Sequence, residues 1–186
     1  MLNSSDISGE YKMCGICGAV TNKENVFDEN TIRRMCAKMK HRGPDDEGVY
    51  LSEGKRKKEK GKSIVGLGHR RLSIIDLSES ARQPMHNEEK SVWAVCNGEI
   101  YNYQELKEEL KRKGHVFYSQ SDAEVIPHLY EEHGEDMITR IKGMFAFAVW
   151  DGKNNKLMLV RDRLGKKPLL YAVFDNTLVF ASELKA

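Results

Sequence analysis

The sequence predicts an α+β sandwich, with antiparallel sheet and helices segregated in the first and middle thirds. Two observations carry that expectation. The last fifty residues read as short apolar runs separated by tight turns, the pattern of strands joined as hairpins. Helical periodicity is confined to the stretches near residues 29–40, 102–113 and 121–133. A third observation sets the scale: 186 residues are the length of one ordinary domain, long enough to bury a core without disulfides or a metal staple.

In chain order, residues 1–12 are polar and without periodicity, and read as an unstructured leader. A strand is expected over 14–20. Ile32, Met35, Cys36 and Met39 share one helical face, so 29–40 reads as a helix. Pro44 ends it, because proline disfavours helix in the residue before it. Strands follow over 48–52 and 64–69, with a lysine-rich loop over 53–62 between them. A short strand over 93–96 leads to Asn97-Gly98, which reads as a turn. Asn102 is placed to cap a helix that runs to Lys113 and stops at Gly114. Ser121 and Glu124 have capping-box spacing for the next helix, which ends at Gly134. Pro127 should kink its first turns. Strands over 144–150, 156–161, 169–174 and 178–181 complete the chain, separated by segments rich in Asp, Asn and Gly.

Composition excludes several classes of function. Thirty basic residues against twenty-eight acidic ones leave almost no net charge, which argues against a protein built to hold nucleic acid or an anionic membrane. No apolar run approaches the roughly 20 residues that cross a bilayer, and the first residues lack the apolar stretch of a signal peptide. Four cysteines in a domain of this size read as reduced thiols, which sets the cytoplasm as the expected location.

Five segments stand out: Met13-Cys14-Gly15-Ile16-Cys17-Gly18, His41-Arg42-Gly43-Pro44-Asp45, Arg71-Leu72-Ser73-Ile74-Ile75, Asn97-Gly98-Glu99-Ile100-Tyr101-Asn102 and Gln120-Ser121-Asp122-Ala123-Glu124. Together, in this order, the chain from Met13 to Ala186 resembles the glutaminase domain of glutamine-hydrolysing asparagine synthetases, the class II glutamine amidotransferases. The resemblance implies the four-layer αββα sandwich of N-terminal-nucleophile hydrolases. It also implies hydrolysis of L-glutamine to L-glutamate and ammonia through a thioester.

Amide hydrolysis of this kind needs a nucleophile, a base, an oxyanion hole and groups that hold the amino-acid head of glutamine. A cysteine that follows a methionine becomes N-terminal when the methionine is removed. Its α-amine, with a pKa of about 7.7–8.0, is then a base suited to neutral pH. The resemblance gives the nucleophile's role to Cys14. It gives the oxyanion donors to the Asn97 side chain and the Gly98 backbone, the substrate's α-carboxylate to Arg71 and its α-ammonium to Asp122. Leu72, Ile74, Ile75 and Glu99 match further substrate-contacting positions, and His41 and Arg42 lie behind the site. No metal or organic cofactor is implied for this half-reaction. ATP and Mg²⁺ belong to a following synthetase domain, which would take the ammonia and whose phosphate-binding signature is missing here. The expected partners are therefore L-glutamine and that acceptor domain, with neither nucleic acid nor membrane, and a homodimer left open.

Plainer readings stand beside these. Cys14 and Cys17 make a C-x-x-C that could be half a zinc site or a redox pair, but no second C-x-x-C exists, and Cys17 and Cys36 read as core thiols. Arg71 alone would be a surface arginine, Asp122 alone a helix cap, and the run from Lys55 to Lys60 a solvated loop. His128 and His133 read as helix-surface residues, and no residue is assigned to a metal. Rival functions are an amidotransferase for a sugar or peptide acceptor, an inactive glutamine-binding domain, and a zinc-binding interaction module. The sequence departs from the resembled pattern in one respect: residues 1–13 precede Cys14, and the domain proper reads as 14–186. Translation starting at Met13, a removed leader and an unprocessed inactive chain are the alternatives, the first two favoured because the rest of the constellation is intact. The chain itself reads as a fragment or a stand-alone domain.

Overall fold

The computed structural model describes residues 13–23, 26–52, 63–72 and 78–186. Residues 1–12, the lysine-rich loop over 53–62, and Ile74 and Ile75 lie outside the described residues. Among the described residues, nine strands form two antiparallel sheets. The first has the order β2-β3-β1-β9-β8, with β1 Gly15–Thr21, β2 Asp46–Leu51, β3 Ile64–Arg71, β8 Leu170–Phe174 and β9 Thr177–Ala181. The second has the order β4-β5-β6-β7, with β4 Met85–His86, β5 Val92–Ile100, β6 Gly143–Asp151 and β7 Lys156–Arg161. The described residues also form three α-helices: α1 Glu29–Lys38, α2 Tyr103–Arg112 and α3 Val125–His133. No helix among the described residues is long and apolar enough to cross a membrane.

The layering follows from side-chain alternation along the strands. Ile16 on β1, Val65 and Leu67 on β3, Phe180 on β9, Val95 on β5, and Ala146, Ala148 and Trp150 on β6 meet between the two sheets. The alternate residues face outward. Cys17 and Ala19 pack with Ile32, Cys36 and Met39 of α1. Ala94, Cys96, Phe145, Phe147 and Val149 pack with α2 and α3. The result is helix, sheet, sheet, helix: the αββα sandwich expected from the motifs. Glycine makes the first helix layer fit. A Cβ at Gly68 would stand 2.6 Å from Cys36 Sγ and 2.8 Å from Cys17 Sγ, closer than any real contact. Edge strand β8 leaves Tyr171, Val173 and Phe174 exposed.

Four local expectations need correction. Asn97-Gly98 is not a turn. Both lie inside β5, opposite Ala146 and Phe145 of β6, because pairing along the full length of β6 outweighs the local turn preference. Gly98 takes φ +153°, where a Cβ would fall 2.1 Å from Met144 O, so glycine marks a close backbone approach rather than a bend. Asn102 makes no side-chain cap on α2. Its amide instead donates to Arg140 O at 3.0 Å and accepts from Lys142 N at 2.9 Å, pinning the approach to β6. Glu124 does not close a capping box with Ser121. Its carboxylate accepts from Tyr118 N and Ser119 N at 2.6 and 2.8 Å. Ser121 accepts from Ala123 N in a 3₁₀ turn, Asp122–Glu124, that leads into α3. Pro127 thus falls in the first turn of α3, where its missing N–H has no partner to lose. His128 is not a surface residue but fully buried, with Val125, Ile126 and Leu129 around it. Most of this helix is covered, so it shows no polar face at His128.

The glycine contact gives a direct test. Gly68→Ala should cost about 1–3 kcal/mol of stability through overpacking between β3 and α1. Urea unfolding monitored by circular dichroism would measure it, and an unchanged midpoint would contradict the close α1 packing.

Candidate active site

The pocket opens at one end of the gap between the sheets. Even-numbered β1 residues and odd-numbered β3 and β5 residues face that gap, as Ile16, Leu67 and Val95 do. The same alternation puts Cys14, His69, Arg71 and Glu99 at its open end, while Asn97 shares that strand face but lies buried and does not line the pocket. Cys14, Arg71, Leu72, Gly98, Glu99 and Asp122 line a single pocket, together with His69, Gln83, Cys96 and Ser121. The structure therefore brings together segments that are 14 to 122 residues along the chain. Cys17 points away from the pocket into the α1 layer, with its Sγ 3.6 Å from Cys36 Sγ. A strand puts positions 14 and 17 on opposite faces, so the C-x-x-C cannot chelate one ion or form a redox pair.

The thiol of Cys14 sits against Leu72. Leu72 N–H points to Sγ at 3.4 Å. Burial pushes the Cys14 thiol up from its ordinary range, and the Leu72 N–H and the Arg71 charge offset this only in part. Thiolate formation there requires a base. Arg71 and Asp122 are both buried and carry opposite charges into the same pocket. Arg71 is steadied by a 3.0 Å bond from Nη1 to Ser78 O. Asp122 Oδ2 accepts from Ile100 N at 2.8 Å. Burial raises the Asp122 carboxyl, with the N–H groups of Ile100 and Ala123 pulling the other way. Asn97 is 1% exposed, and its Nδ2 finds no acceptor among the described residues. A buried donor of this kind costs free energy unless a ligand accepts from it.

Two of the lining residues, His69 and Gln83, were not singled out by the sequence. His69 Nε2 lies 3.2 Å from Cys96 O and Gln83 Nε2 lies 3.1 Å from the same atom. Gln83 Oε1 accepts from Cys96 N at 2.6 Å. The carbonyl can only accept, so His69 carries its proton on Nε2. Burial lowers the His69 pKa to about 3, which leaves it a neutral donor and a poor base near pH 7. A lone histidine in an apolar strand and a lone glutamine in a loop give no sequence signal for this role. Arg42 Nε donates to Cys14 O at 3.1 Å and Nη1 to Glu183 at 3.1 Å. His41 does not line the pocket. It is partly exposed and pairs with Glu183 at 2.9 Å.

Comparison with known proteins agrees with this geometry. The family model described as a glutamine amidotransferase domain matches residues 13–186. The chain is 44% identical over 177 residues to glutamine-hydrolyzing asparagine synthetase 2 of Bacillus subtilis (strain 168), covering 94% of this chain and 22% of that protein. It is 42% identical over 187 residues to Amidase chry2 of Gibberella zeae, covering 94% of this chain and 26% of that protein. The chain thus spans about a quarter of the length of these relatives. Among solved structures, the glutamine phosphoribosylpyrophosphate amidotransferase of B. subtilis superposes with a TM-score of 0.69 at 20% identity, covering 91% of this chain and 42% of that one. That likeness establishes the fold, a sandwich of two antiparallel sheets between helix layers. From Met13 onward the chain belongs to the glutamine amidotransferase domain family.

Proposed function

We propose that this chain hydrolyses L-glutamine to L-glutamate and ammonia through a thioester on Cys14. The observation that carries the reading is the pocket in which the Cys14 thiol meets buried Arg71 and Asp122. An amino-acid head bears one carboxylate and one ammonium, and these two side chains match it: Arg71 as a cation for the carboxylate, Asp122 as an anion for the ammonium. Their position directs the side-chain carboxamide toward Cys14.

The steps use groups of this chain. An α-amine on Cys14 takes the thiol proton, and the sulfur forms a bond to the carboxamide carbon. The carbonyl oxygen gains charge and accepts from Asn97 Nδ2, the buried donor without an acceptor among the described residues, and from the Gly98 N–H. The amine returns its proton to the departing nitrogen as ammonia leaves. Water, deprotonated by the same amine, then cleaves the thioester to glutamate. His69 is too weak a base to replace the amine at neutral pH. Leu72 and Glu99 border the substrate, and Arg42 acts as a positioning residue through the Cys14 carbonyl. Ile74 and Ile75 are assigned to the substrate by resemblance alone. No metal or organic cofactor is required for these steps.

We further propose that the ammonia serves ATP-dependent asparagine synthesis from aspartate in a synthetase domain. The support is the name of the 44% identical relative. A second reading keeps the glutaminase and changes the acceptor, since a 42% identical relative is named an amidase. The cytoplasm is the proposed location, in keeping with four cysteines that are all free thiols.

Three outcomes are expected. Cys14→Ala abolishes glutamate release, whereas Cys17→Ala, Cys36→Ala and Cys96→Ala retain most of it. Labelling by a glutamine-like electrophile at Cys17 in place of Cys14 would refute the assignment. Asn97→Ala lowers kcat by roughly 10²–10³, the usual effect of losing one oxyanion donor, while Arg71→Ala and Asp122→Ala act chiefly on KM. A change in KM alone for Asn97→Ala would exclude the oxyanion role. Finally, active protein has an intact mass that begins at Cys14. Its rate rises with pH through about 7.7–8.0, where an α-amine loses its proton and becomes a base. Full activity from protein that still carries Met1 would rule out the amine.

A further inference from the structure

On the far side of the second sheet, two histidines and several carboxylates converge where α3, the segment after α2 and the β4–β5 turn meet. One ring nitrogen each from His115 and His128 and one oxygen each from Glu88 and Glu131 lie within 4.8 Å of one another. His128 is 0% exposed, and among the described residues neither of its ring nitrogens has a partner in hydrogen-bonding geometry. A buried imidazole left this way is costly. Glu88 Oε2 is 3.3 Å from His128 Nδ1 and Glu124 Oε1 is 3.9 Å from Nε2, but neither approach has hydrogen-bonding geometry.

The orientation of the rings points to a ligand. The Nδ1 atoms of both histidines face Glu88, at 3.2 Å for His115 and 3.3 Å for His128. Their Nε2 atoms face outer carboxylates, Glu132 at 3.3 Å and Glu124 at 3.9 Å. For His115, the carboxylate hydrogen-bonded to its second nitrogen is the arrangement that orients a metal-bound histidine. The carboxylates are themselves held. Val116 N–H donates to Glu88 Oε1 at 2.7 Å, and Asn87 Nδ2 donates to Glu131 Oε2 at 3.0 Å. Asn87 is fully buried and fixed by Ser91 N and Val92 N.

We propose that Glu88, His115, His128 and Glu131 form a structural binding site for one divalent transition-metal ion of the zinc type. Two neutral imidazoles and two carboxylates suit zinc in ligand type and cancel its charge. Ligand atoms at ~2.0–2.2 Å from one ion stand at most ~4.4 Å apart, so small side-chain movements close the cluster. The ion would tie both ends of the segment between His115 and His128, which carries Ser121 and Asp122 of the pocket, to the β4–β5 turn. The site is separate from Cys14 and takes no part in the chemistry proposed there.

The test uses the 186-residue chain, stripped with a chelator and titrated with Zn²⁺ against a chromophoric competitor. One equivalent should bind and raise Tm. Co²⁺ in its place should give the d–d absorption of a four-coordinate site without a thiolate charge-transfer band. His115→Ala, at a partly exposed position, should abolish stoichiometric binding and the Tm shift while the circular dichroism spectrum stays native. Glu132→Gln, which leaves all four ligands in place, should weaken binding by about 10–100-fold. Cys14→Ala and Cys17→Ala should bind as the parent does. Absence of stoichiometric binding by the parent would overturn the proposal, as would binding that survives His115→Ala and is lost in Cys14→Ala or Cys17→Ala.

Discussion

The clamp on Cys96 holds the two sheets in register at the point where it matters. Its carbonyl receives His69 from the first sheet and Gln83 from the segment ahead of β4, and its N–H is taken by Gln83. All three groups are buried, where an unpaired member would cost about 1–3 kcal/mol. The next two residues on β5 are Asn97 and Gly98. Sliding one sheet over the other would break the clamp and displace a proposed oxyanion donor from the cysteine that it serves. The same low dielectric that strengthens these bonds keeps His69 neutral, so the clamp adds no charge beside the pocket.

Around that point the molecule sorts its residues by strand parity. Inner faces supply packing along most of their length and polar side chains at one end. Outer faces supply small residues where helices must approach. Gly68 and Cys17 lie under α1 because a larger side chain there would collide with the helix. The site therefore needs no dedicated loop for Cys14, Arg71 or Asn97. Each extends a periodicity that already builds the core. Asp122 is the exception, and the sequence around it is correspondingly busy, with Ser119, Ser121 and Glu124 all bonded to nearby backbone.

Much of this was legible in the sequence, and the reasons differ by element. The strands of the last third could be read because their turns carry Asp, Asn and Gly, and because apolar runs are short. The pocket residues could be read because they occur in five segments whose order is informative, although no one segment is. Asn97-Gly98 misled because local turn preference is weak against a strand paired along its whole length. Asn102 and Glu124 misled because a cap residue can bond elsewhere when tertiary structure offers a better partner. His69, Gln83 and His128 gave no signal at all. Each is a single polar residue whose importance lies in long-range partners that neither period nor spacing encodes.

The last strand has a mechanical consequence. Ser182 N–H donates to Ile16 O and Ser182 Oγ accepts from Ile16 N, while Glu183 receives Arg42, which in turn holds Cys14 O. Ser182 and Glu183 are thus linked in series to the backbone of Cys14 by short contacts that bypass the apolar interior. Pulling on the segment after β9 would load the Ser182–Ile16 and Glu183–Arg42 contacts before it reached the apolar interior. The segment leaving β9 and the backbone of Cys14 are thereby coupled through polar contacts alone.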